Sequence, residues 1–246
     1  MRVREYHDRI PSTQDRAIEL AREGAPPGTR VVAGEQTHGR GRSDHTWASP
    51  AGGLYLSLLV PDVPASPTLL PIAIGAGIAD RLERRFGVGS WIKWPNDLLV
   101  LVPGEPPRKL GGTLIDRVAV GSTEHRIIVG VGINVATCRD ELPAELRSRT
   151  AFLGELAARP PSIREVEEEV VEAVLDAVRD VASEEGRARL HLAARRRFYG
   201  SGHRALVDGS PVGRIEGLAY DGALRVVNDD AMAVIRVGDL TIVEEV

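Results

Sequence analysis

Apolar and polar positions alternate in blocks whose period changes along the chain. Ser12-Thr13 stand as an N-cap before Gln14 to Glu23, which reads as a helix ended by Gly24. Thr29 to Gly34 is a short β-rich segment, and residues 35–47 form a loop dense in glycine and arginine. GGLYLSLLV (52–60) alternates only weakly and predicts a buried strand. Ser66-Pro67 open an apolar helix that ends near Phe86-Gly87. WIKWPNDLLVL (91–101) predicts two short strands about Pro95, because proline cannot donate to a central ladder, and VPGEPPR (102–108) is a linker loop. KLGGTLIDRVAV (109–120) and HRIIVGVGINV (125–135) predict a hairpin joined at Gly121-Ser122. SIREVEEEVVEAVLDAVRDVA (162–182) has a helical period with an acid-rich solvent face, and a basic helix follows to Arg197. Beyond Gly200 the pattern becomes short β segments with turns at Asp208-Gly209, Asp221-Gly222 and Asn228-Asp229.

Strands mixed with helices, without strict βαβ alternation, predict an α+β class. The change near Gly200 predicts two domains, 1–199 and 200–246. The second is about 45 residues of β, enough for a small barrel but marginal alone, so it is expected to lean on the first domain. No internal repeat and no low-complexity tract interrupts this order.

Composition narrows the function classes. The 246 residues carry a net charge of -4, which excludes a globally basic nucleic-acid binder but not a local patch. One cysteine, Cys138, excludes an internal disulfide framework and fits a reducing compartment. MRVREYHDRI lacks the apolar core of a secretory signal, and the longest apolar candidate, Thr68 to Ala79, falls short of the roughly 20 residues of a membrane helix. The expectation is a cytoplasmic protein with no membrane partner. Of 31 basic residues only two are lysine, Lys93 and Lys109, and both fall within the 26 residues from Trp91 to Asp116. Lysine kept only here, in a chain that otherwise uses arginine, reads as a place where a compact ammonium is needed in place of a planar fork, or else as one where a turn or packing needs the residue.

Four motifs carry candidate chemistry. Gly39-Arg40-Gly41-Arg42, followed by Trp47, joins glycines that expose backbone N–H groups, forked cations and a stacking face. It reads as a phosphate or nucleotide clamp, or else as a surface loop or RNA contact. Lys93-Trp94-Pro95-Asn96-Asp97 puts a cation, an amide and a carboxylate within five residues, with a structural turn as the plainer reading. Lys109-Leu110-Gly111-Gly112 sets a lysine before glycines that let a ligand lie against the backbone, or that form a strand bulge. Gly130-Val131-Gly132-Ile133-Asn134 begins like a dinucleotide fingerprint but lacks the third glycine and the helix, and suits a narrow wall ending in one polar contact. There is no GxSxG, HExxH or GxxxxGK[ST], Cys138 has no partner for a zinc site, and Arg195-Arg196-Arg197 is explained by a helix C-terminus.

Taken in order, Ser12-Thr13-Gln14, Glu35-Gln36-Thr-His-Gly39-Arg40-Gly41-Arg42, Trp47, Lys93-Trp-Pro-Asn-Asp97, Lys109-Leu-Gly-Gly112 and Gly130-Val-Gly-Ile-Asn134 closely resemble the biotin–protein ligases. The resemblance spans roughly residues 5–200, and the β tail resembles that family's SH3-like C-terminal domain. It implies a class II synthetase-like catalytic domain with a mixed or antiparallel sheet, flanking helices and a small β-barrel. Ser12 lies so near the start that a form without the family's DNA-binding winged helix, and hence no DNA partner, is expected. The implied reaction makes biotinyl-5'-AMP from biotin and ATP, with Mg2+ brought by the nucleotide, and then acylates a lysine of a biotin carboxyl carrier domain of a carboxylase.

Residue by residue, the resemblance implies that Ser12, Thr13 and Gln36 hydrogen-bond biotin's ring, while Gly39 and Arg40 line its tail and carboxylate. Lys109 would contact the carboxylate and α-phosphate; Gly112 and Leu114 would form the biotin wall. Arg42 and Lys93 would face phosphate, Trp47 would pack over the nucleotide, and Asn134 would lie on the adenine side. Asn96 and Asp97 would support the phosphate or Mg2+ region. Gln14, Gly41, Gly111 and Gly132 complete the binding set, and Lys109, Arg40, Lys93 and Asp97 are the expected catalytic groups. The loop departs from the family at Asp44-His45, where two positive units are lost. The same fold also serves lipoate or octanoate transfer, but those enzymes lack the Lys-Trp-Pro-Asn-Asp motif; an RNA-binding module is disfavoured by the acidic balance. The sheet edges could pair two subunits, although no motif says that they do.

Overall fold

The computed structural model describes residues 3–43, 45–63, 68–136, 139–228 and 231–243. The larger sheet contains β1 (Arg4–Ile10), β2 (Arg30–Gln36), β3 (Gly53–Pro61), β4 (Trp91–Lys93), β5 (Asp97–Val100), β6 (Arg108–Ala119) and β7 (His125–Asn134). Its spatial order is β1-β2-β3-β7-β6-β5-β4. β1 runs parallel to β2, and the other neighbours are antiparallel. The α+β class and the mixed sheet expected from the pattern are both present.

Alternation along the strands assigns the two faces. Leu54, Leu56, Leu58 and Val60 of β3, with Val129, Val131 and Ile133 of β7, join a core with α2 (Leu69–Phe86), α5 (Ile163–Val181) and α6 (Glu184–Arg197). The opposite face carries α1 (Thr13–Arg22), whose Ala17 and Ala21 cover Val31, Leu59, Val118 and Ile128. Ser12 caps α1 by accepting the Asp15 N–H at 3.3 Å. A capping box of Ser162 and Glu165 starts α5 where the sequence placed it. One of the acids of α5 is not on the solvent face. Glu167 is 1% exposed and pairs with Arg4 at 2.8 Å and Arg30 at 2.9 Å, tying the helix to β1 and β2.

The pattern reading missed β1. REYHDRI is an edge strand with no buried position, so it carries no apolar signal, and parallel pairing to β2 holds it instead. β2 also runs on through Glu35 and Gln36, which the pattern assigned to the loop. The short helices α3 (Ala144–Arg147) and α4 (Leu153–Leu156) lie in a stretch for which no element was expected. Ser66-Pro67, Asp229 and Cys138 lie outside the described residues.

The C-terminal strands β8 (Arg204–Val207), β9 (Ser210–Leu218), β10 (Leu224–Asn228), β11 (Ala231–Ile235) and β12 (Leu240–Val243) form an antiparallel sheet ordered β11-β10-β9-β8-β12. Ala205, Ile215, Leu224 and Leu240 belong to the same apolar cluster as the larger sheet, so this unit leans on the first one as its size requires. Its loop 219–222 reaches the start of α2. Trp94 Nε1 donates to the Gly222 carbonyl at 3.2 Å, and Gly222, at φ +81, has no room for a Cβ against Leu69.

Candidate active site

Strand register builds the floor. Across β3, β7 and β6 the rows Tyr55-Gly132-Gly112, Ser57-Gly130-Leu114 and Leu59-Ile128-Asp116 stand side by side on the face that carries α1. Two rows thus contain glycine, and a cavity of about 270 Å3 opens above them. The glycines are required by what lies over them. A Cβ on Gly132 would sit 2.6 Å from Trp47 Cε2, and one on Gly130 would sit 2.6 Å from Gln14 Oε1.

A chain of polar groups closes one end of the cavity. Gln36 Oε1 accepts the Thr13 N–H at 2.8 Å, while its Nε2 donates to Ser49 Oγ at 2.9 Å. Thr13 Oγ1 lies 3.0 Å from Ser57 Oγ, which donates to Gln14 Oε1 at 2.8 Å. Gln14 Nε2 in turn donates to Asp116 Oδ2 at 3.0 Å. Buried amides and hydroxyls tied together in this way are held to one orientation.

The loop from Gly39 to Trp47 closes on itself. Trp47 N–H donates to Gly39 O at 2.9 Å, and Gly41 N–H donates to His45 O at 2.7 Å. A Cβ on Gly39 would fall 2.4 Å from Trp47 O, so glycine is needed for the close approach. Arg40 Nη1 bridges Asp15 at 2.9 Å and Asp116 at 3.2 Å. Arg42 Nη1 reaches the smaller sheet, at Asp239 Oδ1 (3.1 Å) and Gly238 O (3.3 Å). Asp44, half of the expected departure in this loop, lies outside the described residues; His45 is exposed, with Nδ1 3.9 Å from Asp239 Oδ2.

Both lysines meet at the far end. Lys109 Nζ lies 2.7 Å from Asp97 Oδ1 and 4.9 Å from the centre of the Trp47 ring. The Lys93 ammonium has no hydrogen-bond or ion-pair partner among the described residues. Burial holds its ammonium below the usual lysine range; Lys109 and Arg149 push it further down, against Asp97 and Asp239. From here the site continues into a second cavity of about 410 Å3, lined by Trp47, Lys93, Asn134, Leu146, Arg149 and Tyr199 among others. Asn134 Nδ2 donates to the Lys109 carbonyl at 3.2 Å and fixes that strand end.

Lys93 yields a pH prediction. An ammonium that is easier to deprotonate than an ordinary lysine loses its charge as pH rises toward, but not up to, the usual lysine value of about 10.4. If it serves an anionic substrate, kcat/KM falls on the alkaline side at that lowered pH. Lys93→Met lowers the rate by about a hundredfold and removes that alkaline limb. The sign for stability is opposite. The folded state disfavours the proton, so the charge destabilises below the folded pKa, and the methionine variant melts no lower than the wild type at pH 7. A pH–rate profile with a thermal melt checks both; a melting temperature that drops together with an unshifted alkaline limb contradicts the reading.

Most residues singled out in the sequence line the first cavity: Thr13, Gln14, Gln36, Arg40, Gly41, Arg42, Trp47, Lys93, Asn96, Asp97, Lys109, Gly112, Leu114 and Gly132. Four lie elsewhere. Ser12 serves as the cap of α1, Gly39 lines the outer side of the loop, Asn134 lines the second cavity, and Gly111 packs against Ile133 and Gly132 O of β7. Asn96 lines the wall but spends its amide on the Thr113 carbonyl at 2.6 Å, which ties the turn to β6. Gly130, read in the sequence as part of the Gly130–Asn134 wall, lines the first cavity as well, whereas sequence reasoning missed Ser57, Asp116, Arg149 and Asp239. A lone serine inside GGLYLSLLV was a visible signal for Ser57; nothing local marked Asp239.

Comparison with known proteins adds the family context. The Biotin/lipoate A/B protein ligase family profile matches residues 6–134. The bifunctional ligase/repressor BirA of Bacillus subtilis is 37% identical over 155 residues, covering 62% of this chain and 46% of that protein. The biotin–[acetyl-CoA-carboxylase] ligase of Paracoccus denitrificans is 32% identical over 136 residues, 54% of either chain. The chain thus spans about half the length of these relatives. Among solved structures, the biotin protein ligase of Aquifex aeolicus in complex with biotin and ATP superposes with a TM-score of 0.81 at 25% identity, covering 100% of both chains.

Proposed function

This chain belongs to the biotin/lipoate A/B protein ligase family, and on that footing we propose that it is an ATP-dependent ligase that activates biotin as biotinyl-5'-AMP and transfers it to a lysine of an acceptor protein. The observation that carries the reading is the continuity of two cavities across Trp47 and Lys109. One ends in amides and hydroxyls; the other is faced by Lys93, Lys109 and Arg149. Biotin has a polar ring at one end and a carboxylate at the other, and ATP brings a polyanion and a base.

In the first step a biotin carboxylate oxygen attacks the α-phosphorus, the bond to the β-phosphate bridging oxygen breaks, and pyrophosphate leaves. Lys109 sits between the cavities, where the carboxylate and the α-phosphate would meet, and Arg42 and Lys93 add charge as it builds on phosphate. Thr13 and Gln36 hold the ring, Gly112, Leu114 and Gly132 give a flat wall, and Trp47 covers the junction. The Trp47 indole Nε1–H, buried against the Gly132 floor, has no acceptor among the described residues. In the second step the neutral amine of the acceptor lysine attacks the anhydride carbonyl, AMP departs, and the amine proton is lost.

Mg2+ would travel with the nucleotide phosphates and screen their charge. Asp97, which lines the first cavity, is its candidate protein ligand. The acceptor of this reading is the carrier domain of a biotin-dependent carboxylase, and the compartment is the cytoplasm, where ATP is at hand. No helix among the described residues is long and apolar enough to cross a membrane. Residues 1–199 would be the catalytic domain and 200–246 an SH3-like domain.

Biotin is favoured over lipoate or octanoate because a buried polar chain left unmatched by an apolar tail is penalised far more than a missing methylene. The test is pyrophosphate release with Mg-ATP and biotin, lipoate or octanoate in separate reactions, with mass detection of the acyl-adenylate. A signal with biotin alone is expected. Release with lipoate or octanoate but not biotin overturns the substrate, and silence with all three overturns the activity.

A further inference from the structure

The smaller sheet reaches into the site with a carboxylate that is itself held rigidly. Asp239 Oδ1 accepts from Arg42 Nη1 at 3.1 Å, although 197 residues separate the two. The Asp239 backbone is clamped on both sides: its N–H donates to Asp208 Oδ1 at 2.8 Å, and its carbonyl accepts the Asp208 N–H at 3.1 Å. Gly238 precedes it at φ +127, where a Cβ would strike Val207 Cγ1 at 2.4 Å. Asp239, Leu240 and Thr241 also form part of the first cavity wall. At the base of the loop, Arg40 has its own anchors in Asp15 and Asp116. The side-chain anchors of Arg42 among the described residues are Asp239 and the Gly238 carbonyl, both on the smaller sheet.

We propose that Asp239 is a positioning residue for the nucleotide half of the reaction: it anchors the Arg42 guanidinium to the smaller sheet, so that the phosphate-facing end of the glycine-arginine loop is ordered before ATP arrives. This rests on the ligase reading above. A guanidinium on an exposed loop has many rotamers, and fixing it before binding removes that entropy from the encounter with phosphate. The smaller sheet is then a working part of the active site rather than an appended fold. The ring-binding groups Thr13 and Gln36 are anchored elsewhere, so the anchor acts on ATP and not on biotin.

The test uses Asp239→Ala in the full-length chain, with Asp239→Glu as the conservative variant. Amide hydrogen exchange at Gly41 and Arg42, measured without substrates, speeds up in Asp239→Ala. KM for ATP rises by about tenfold, while the Kd for biotin by calorimetry stays within about twofold of wild type. Asp239→Glu recovers part of the KM change, which a purely structural role would not do. If the alanine variant does not fold, Asp239→Asn keeps the shape, removes the charge and takes its place. Unchanged exchange and KM overturn the proposal, as does a KM for ATP below wild type, which would make Asp239 a competitor of phosphate. A wild-type protein that forms no adenylate overturns the ligase reading, whereas the exchange measurement still decides the anchor.

Discussion

Lys109→Ala lowers the rate of biotin-dependent pyrophosphate release by about a hundred- to a thousandfold, the range found when one preorganised donor is removed from a transition state. Lys109 occupies the junction of the two cavities, with Nζ 2.7 Å from Asp97 and 4.9 Å from the Trp47 ring centre. A carboxylate and a phosphate that meet there are both anions, and their approach is opposed until a cation lies between them. Asp97 holds the ammonium in place before substrate binds, so little reorganisation is needed at the moment of reaction. Lys109→Arg keeps the charge but spreads it over a planar fork, and is expected to lose at least about tenfold, or about 1.4 kcal/mol in the barrier. The chain uses lysine only twice, at Lys93 and Lys109, and arginine everywhere else. An arginine variant with full activity would show that this usage reflects something other than the chemistry. Because Lys109 is partly exposed and its backbone stays paired, either variant is expected to fold.

The second large effect comes from adding atoms rather than removing them. Gly132→Val leaves the strand backbone content, since valine suits a strand, but places a Cβ 2.6 Å from Trp47 Cε2 and 2.8 Å from Nε1. The neighbouring backbone is locked between β3 and β6, so the ring must move. Trp47 then swings away from the floor, the Lys109 ammonium loses the ring beneath it, and the wall between the cavities opens. Adenylate formation falls by about a hundredfold, and the overpacking itself takes about 1–3 kcal/mol from stability. Fluorescence separates the two effects. Trp94 is 1% exposed and Trp91 stands on the edge strand β4, and neither touches Gly132, so a red shift in emission reports the departure of Trp47. Activity within about twofold of wild type would mean that Trp47 only covers the floor.

How far the sequence carried depends on whether each feature was coded locally. Ser12 as a cap and the helical period of 162–182 are written locally, so α1 and α5 were legible in outline. The glycine pairs of β6 and β7 were legible as motifs because a close approach admits no other residue. β1 was not, since an exposed edge strand needs no apolar alternation. Glu167 looked like one more solvent acid on α5, and only the packing of β1 and β2 beneath it turns it into a buried ion pair. The site divided in the same way. The two lysines, the glycine-arginine loop and Asp97 stood out by type and spacing, and the fold brings them to one cavity. Asp116, Arg149 and Asp239 are ordinary acids and an ordinary arginine until the topology places them there; for Asp239 the partner is 197 residues away.

The central claim is that the biotin carboxylate attacks the α-phosphorus at Lys109. Oxygen-18 in the biotin carboxylate tests it most directly, with the wild-type protein, Mg-ATP and an acceptor carrier domain taken through a full turnover. The account predicts that one labelled oxygen appears in the AMP phosphate and none in pyrophosphate, because the anhydride opens at the acyl carbon. Label in inorganic phosphate or pyrophosphate, or AMP free of label after the carrier has been biotinylated, would contradict it.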